Sequence, residues 1–136
     1  MIVVDASIAI AWQFEDEATP AADALLARTV DSGAVVPTIW RLEVANTLRM
    51  AVRRKRCDET FFNEAIARLE ALPVNDDDQT SLHAWADTSA LARDEGLTLY
   101  DAAYLELAMR RKLPLATVDR ALIAAGLRRG VEVLTP

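Results

Sequence analysis

The chain has 136 residues, 52% of them hydrophobic and 26% charged. That composition excludes a disordered chain, and the length suits one domain with one core. The net charge of −6 argues against a general nucleic-acid binder, which is usually basic. The single Cys57 excludes an internal disulfide and suits a reducing, cytoplasmic setting.

Ile2-Val3-Val4 is a short β-branched run that reads as a buried strand ending at Asp5. Ala6 to Trp12 continues as a short helix. The apolar run carries Asp5 and lacks basic residues before it, so it does not read as a signal peptide. No stretch is long and apolar enough to span a membrane. Thr19-Pro20 has the form of a cap followed by proline at the first helical position, and Gly33 stops the helix that follows. Ala34–Val36 is a second strand. Thr38 is expected to cap a helix with Leu42, Ala45, Leu48 and Val52 on its inner face. Asp58 starts another helix, with Phe62, Ile66 and Leu69 inward.

Leu72-Pro73-Val74 is a weak strand candidate, because proline favours an edge. Asp76, Asp77 and Asp78 suit the positive dipole end of a helix expected to run to Glu95 and to stop at Gly96. Asp101 is expected to open a helix through Lys112. Leu115–Val118 reads as a strand closed by Asp119, and a short helix ending at Gly126 precedes a last strand over 131–134. Short apolar strands alternating with amphipathic helices imply an α/β fold, with a parallel sheet covered on both faces.

In such sheets ligands sit outside the carboxyl ends of the strands. Asp5 and Asp119 lie where strands end, Glu43 lies early in the helix after the second strand, and Asp101 lies at the start of its helix. All four can face one rim. Two carboxylates about 5 Å apart repel by roughly 3 kcal/mol at an effective dielectric near 20. The basic residues are not interleaved with these acids, so a hard divalent cation is the natural partner: Mg²⁺, with Mn²⁺ as a substitute. Such an ion activates water and holds phosphate oxygens during displacement at phosphorus. Each acid also has a local alternative, since Asp5, Asp101 and Asp119 could cap helices and Glu43 could be solvated. Asp5 has the weakest such alternative, because a carboxylate directly after a buried strand is costly without a partner.

Ser7, Asn46 and Thr117 are the polar neighbours of these acids. Ser7 is two residues after Asp5, Asn46 is one turn after Glu43, and Thr117 is two residues before Asp119. Each could serve a metal-bound water or a phosphate, or simply bond the local backbone. Glu106 points away from Asp101 and reads as surface. Trp12, Trp40, Trp85 and Tyr104 read as core or interface. Basic clusters at Arg49 and 53–56, at 110–112 and at Arg128-Arg129 read equally as solvated helix ends or as phosphate contacts.

Other chemistries fit poorly. The one histidine, His83, has no nearby nucleophile, and neither a glycine-rich phosphate loop nor zinc-ligand spacing occurs. A signalling receiver would need an acidic pair after the first strand, whereas Asp5 is followed by Ala6 and Ser7.

Four segments resemble the motifs of PIN-domain ribonucleases, and among these the VapC-type toxins of toxin–antitoxin pairs. They are VVDASIAIAW with Asp5 and Ser7, EVANTL with Glu43 and Asn46, LTLYDAAYLELA with Asp101, and LATVDRAL with Thr117 and Asp119. The resemblance spans essentially the whole chain, residues 1–136. It implies one PIN-like domain, an α/β/α sandwich with a central sheet of four or five parallel strands. It further implies endonucleolytic cleavage of RNA with Mg²⁺ or Mn²⁺ and a homodimer inhibited by a small cognate antitoxin. A PIN-like RNA-processing nuclease without an antitoxin is the alternative.

Overall fold

In a computed structural model describing residues 1–136, the β-branched run Ile2–Val4 forms the central strand, β1, of a five-stranded sheet. The other strands are β2 (Ala34–Val36), β3 (Val74–Asp76), β4 (Leu115–Ala116) and β5 (Val133–Leu134). The sheet order is β3-β2-β1-β4-β5, and every pairing is parallel. Val3 lies opposite both Val35 and Leu115, so the three inner strands share one register. Parallel strands need long crossovers, and helices supply them. These are α1 (Ala6–Ala11), α2 (Pro20–Ser32), α3 (Trp40–Arg53), α4 (Glu59–Glu70), α5 (Thr80–His83), α6 (Asp87–Glu95), α7 (Leu99–Arg111) and α8 (Arg120–Arg128). No helix is long and apolar enough to cross a membrane.

The strand order reverses between β1 and β4. In open α/β sheets such a switch leaves a crevice outside the carboxyl ends of the two strands. Asp5 directly follows β1, and Thr117 to Asp119 directly follow β4, so the crevice is walled by acids before any side chain is considered. The core beneath it is dry: β1, Ile8, Leu48, Leu105, Leu115 and Leu122 are completely buried. α7 is buried continuously from Ala102 to Ala108, as befits a helix packed against α6, α8 and β1 at once.

Several local expectations need correction. Thr38 caps nothing; its backbone N–H donates to Thr80 Oγ1, and α3 starts after Ile39. The inner face of α3 is Trp40, Val44, Leu48 and Ala51, while Leu42 is 75% exposed. The expected face was rotated, because Leu42 outweighs Ala51 by hydropathy but not by position. The helix expected to reach Glu95 breaks after His83, leaving α5 and α6. α7 begins at Leu99 with Thr98 as its cap, so Asp101 is a first-turn residue and not the cap. β3 starts after Pro73, and β4 is only two residues long.

Gly126 does not stop α8. It is a close-approach glycine: a Cβ there would stand 2.8 Å from Val133 Cγ2. The chain leaves α8 at Gly130, which takes φ +72°.

Glu106 is buried, and Asp77 with it. Arg110 joins them, with Nε 2.7 Å from Glu106 Oε1 and Nη2 2.6 Å from Asp77 Oδ2. Burial alone would raise the Asp77 pKa, but the Arg110 hydrogen bond and charge outweigh it and hold the carboxyl below its ordinary range. Arg110 thus compensates two buried charges on two elements. Trp85, by contrast, is 97% exposed and takes no part in the core.

Candidate active site

Asp5 sits at the floor of the crevice, 5% exposed. Its Oδ2 accepts from Ser7 Oγ and from Thr117 Oγ1, each at 2.8 Å. Ser7 Oγ in turn accepts from the Val118 N–H, and Thr117 Oγ1 accepts from the Asp119 N–H. The two hydroxyls therefore clamp the end of β1 to the end of β4. They also turn Asp5 in a direction that local sequence alone does not dictate. Asp119 caps α8, its Oδ1 accepting from the Leu122 N–H at 2.8 Å. The cap holds Oδ1 and leaves the other oxygen for a ligand. Asp119 thus both caps α8 and lines the groove.

Glu43 projects from the first turn of α3, and its Oε1 accepts from the Tyr104 hydroxyl at 3.0 Å. Tyr104 is fully buried in α7, one turn after Asp101. It was read as core, and it is core, yet its hydroxyl reaches the site. A tyrosine three residues after an acid on a helix was the available signal, since that spacing shares a face.

Asp5, Ser7, Glu43, Asp101 and Asp119 line one open groove of about 750 Å³, together with Thr47, Arg56 and Arg120. Thr117 lies beneath it, behind Asp5. Asn46 does not join them. It lines a neighbouring groove with Phe14, Met50 and Arg54, while Thr47, a full turn beyond Glu43, faces the acids. The choice between i+3 and i+4 depended on the rotation of α3, which its hydropathy pattern misstates.

Three of the four acids are held above the ordinary carboxylate range. For Asp5 the main cause is burial, opposed by the Thr117 and Ser7 hydroxyls, with Asp119 adding repulsion. For Glu43 it is again burial, opposed by Tyr104, with repulsion from Asp5 and Asp101. For Asp101 it is burial, then the charges of Asp119 and Asp5. The acids therefore feel one another across the groove. None of the four forms an ion pair, although Asp16, Glu17, Glu59, Asp76, Asp77, Glu95 and Glu106 all do. A half-buried, oxygen-only donor set without a cation fits a hard divalent ion.

The acids do not form a closed cage. The only three ligand-type groups whose donor atoms all lie within 4.8 Å of one another are His83, Asp87 and Glu106, on another part of the domain. There Glu106 already receives Arg110 through both oxygens, and His83 Nδ1 stands 3.2 Å from Asp87 Oδ2. That trio belongs to the ion-pair network of Arg110. The open acid groove instead suits a divalent cation that keeps part of its water shell.

A search of curated proteins finds no significant match. Among solved structures, the chain is similar to PAE2754 from Pyrobaculum aerophilum, with TM-score 0.66 and 23% identity over 98% of this chain and 83% of that one. It is also similar to FitAcB from Neisseria gonorrhoeae, with TM-score 0.68 and 17% identity over 98% of this chain and 96% of that one. At these identities the likeness concerns the fold. The family model of the PIN domain matches residues 2–126, nearly the whole chain and all four acids, and the chain therefore belongs to the PIN-domain family.

Proposed function

We propose that the chain is a Mg²⁺-dependent endoribonuclease acting as a VapC-type toxin, silenced by a small cognate antitoxin. PIN domains are generally nucleases, so hydrolysis of nucleic acid is the coarse reading. One observation supports metal-dependent hydrolysis: four carboxylates without ion-pair partners line a single groove at the switch point of the sheet. Asp5, Glu43, Asp101 and Asp119 are the residues that would hold the metal. When bound, Mg²⁺ or Mn²⁺ supplies Lewis acidity and lowers the pKa of an attacking water. Ser7 and Thr117 orient Asp5, and Tyr104 orients Glu43. Asp5, Glu43 and Asp101 must be ionised to bind a cation, so acidification should weaken metal binding and with it activity.

The toxin assignment rests on the four motif segments, read in order. A cytoplasmic homodimer belongs to the same reading, and Trp85 and Leu82, 97% and 75% exposed, offer apolar surface for a protein contact. An antitoxin that reaches the groove with a basic side chain would meet a charge-complementary site.

The purified chain, freed of any antitoxin, is expected to cleave RNA with Mg²⁺ or Mn²⁺ and to stop in excess chelator. Asp5→Asn should lose at least about a hundredfold in rate, because charge stabilisation at a metal centre is worth several kcal/mol. Undiminished cleavage by Asp5→Asn, or in chelator, would overturn the mechanism. Induced expression should arrest growth, and co-expression of a small antitoxin encoded beside its gene should relieve it. Absence of both effects removes the toxin assignment and leaves a processing nuclease.

A further inference from the structure

The groove poses an electrostatic difficulty for its own substrate. Besides the four carboxylates, Glu17 lines it, and each nucleotide of an RNA strand brings one more negative charge. A divalent cation offsets only part of this. Two cationic side chains line the groove, Arg56 and Arg120, and they differ sharply.

Arg56 is committed. Its Nη2 contacts Asp16 Oδ1 at 2.9 Å and Glu17 Oε2 at 2.9 Å, and its guanidinium lies 3.6 Å from the Phe14 ring centroid. Its charge is more than cancelled by those two acids. It fastens the 3-10 turn at 15–17 to the end of α3 (Trp40–Arg53).

Arg120 is free. It is exposed, it makes no hydrogen bond or ion pair, and it does not pair with any of the five acids that share its groove. It is also the first residue of α8, directly after the Asp119 cap. A cation at that end of a helix opposes the macrodipole, which favours anions there. No intramolecular contact compensates for this placement. A guanidinium suits bidentate contact with a phosphodiester, and the positive end of α8 reinforces attraction for the same anion.

We propose that Arg120 is the residue that receives a backbone phosphate of the RNA in the acidic groove, with Arg56 excluded from that role by Asp16 and Glu17. The proposal rests on the nuclease reading and deepens it. Arg120 positions the strand against the carboxylates and takes no part in the bond-breaking step. Its loss therefore acts on binding of any RNA sequence, on KM and not on kcat.

The test compares wild type, Arg120→Ala, Arg120→Lys and Arg28→Ala, the last being an exposed arginine of α2 (Pro20–Ser32) outside the groove. Circular dichroism confirms folding. A fluorescein-labelled single-stranded RNA is titrated by anisotropy in chelator over a range of NaCl, and cleavage of the same RNA is followed in Mg²⁺. Arg120→Ala should raise Kd and KM by about tenfold, the usual worth of a charge-assisted bond. It should flatten the slope of log K against log salt by about 0.7, one phosphate contact on a single strand. Arg120→Lys should keep the slope and part of the affinity. Arg28→Ala should match wild type. If Arg120→Ala matches Arg28→Ala in KM and salt slope while wild type cleaves RNA, the role of Arg120 is refuted and the nuclease reading stands. If wild type neither binds nor cleaves RNA, both fall.

Discussion

Replacing Asp5 by Asn removes one charge from a group of carboxylates that form no ion pair within the protein. The floor position is 5% exposed, and the Asn side-chain oxygen can still accept from Ser7 and Thr117. Two charges about 5 Å apart repel by about 3 kcal/mol at an effective dielectric near 20. Asp5 is repelled by Asp119, and it raises the pKa of both Glu43 and Asp101. Part of that relief is lost because an amide oxygen accepts more weakly than a carboxylate. A net gain of about 1–3 kcal/mol remains at pH 7 in the metal-free protein, equivalent to a Tm rise of about 3–10 °C for a domain of this size.

The pH dependence has a definite sign. In the fold, burial and neighbouring charge keep the Asp5 pKa above its unfolded value, so the fold binds that proton more tightly. Wild type gains this stability as pH falls through the folded pKa, and holds all of it below the unfolded value. The Asn variant has no such proton. Its advantage should therefore shrink as pH falls toward about 4. Mg²⁺ should act the other way, stabilising wild type by mass action and narrowing or reversing the gap at pH 7. Thermal melts in chelator and in Mg²⁺, at several pH values, read all of this. A variant less stable than wild type in chelator at pH 7, or a gap indifferent to pH and Mg²⁺, would refute a repulsive, cation-requiring site.

Three further substitutions probe the frame around the site. Tyr104→Phe removes the donor to Glu43 and keeps the packing; Mg²⁺ affinity by calorimetry should fall at least about tenfold, the usual effect of losing a bond that orients a ligand. An unchanged affinity would make Tyr104 a core residue only. Arg110→Ala leaves Asp77 and Glu106 buried and unpaired, which should cost about 3–5 kcal/mol in urea unfolding; a loss under about 1 kcal/mol would mean that water replaces the guanidinium. Gly126→Ala drives a Cβ into Val133, costing about 1–3 kcal/mol, and Val133→Ala should recover most of it. Gly126→Ala without effect would show that β5 shifts freely.

The residues that punctuate the chain were readable locally. Thr19-Pro20, Asp58 and Gly96 mark helix ends because each satisfies or releases nearby backbone groups, and the Thr19 and Asp58 side chains accept from the Ala22 and Phe61 N–H groups in the expected cap geometry. The runs Ile2–Val4 and Ala34–Val36 identify themselves as buried strands because every position is apolar and all but Ala34 are β-branched. The same alternation of strands and helices dictated a parallel sheet, and with it the rim on which acids after strands must lie.

Pairing across distance was not readable. Glu106 looked exposed because its partner Arg110, one turn on along its own helix, is fixed by Asp77, 33 residues away from that arginine. The rotation of α3, which faces Thr47 and not Asn46 toward the acids, follows from where Trp40 and Ala51 pack. Tyr104 meets Glu43 across 61 residues, and Thr117 meets Asp5 across 112. Short-range sterics and caps are written in neighbouring residues, so most elements, and the acids that follow β1 and β4, could be read from local sequence. Which hydroxyl, phenol or guanidinium answers each buried charge depends on the packing of whole helices against the sheet, and only the tertiary structure decided that.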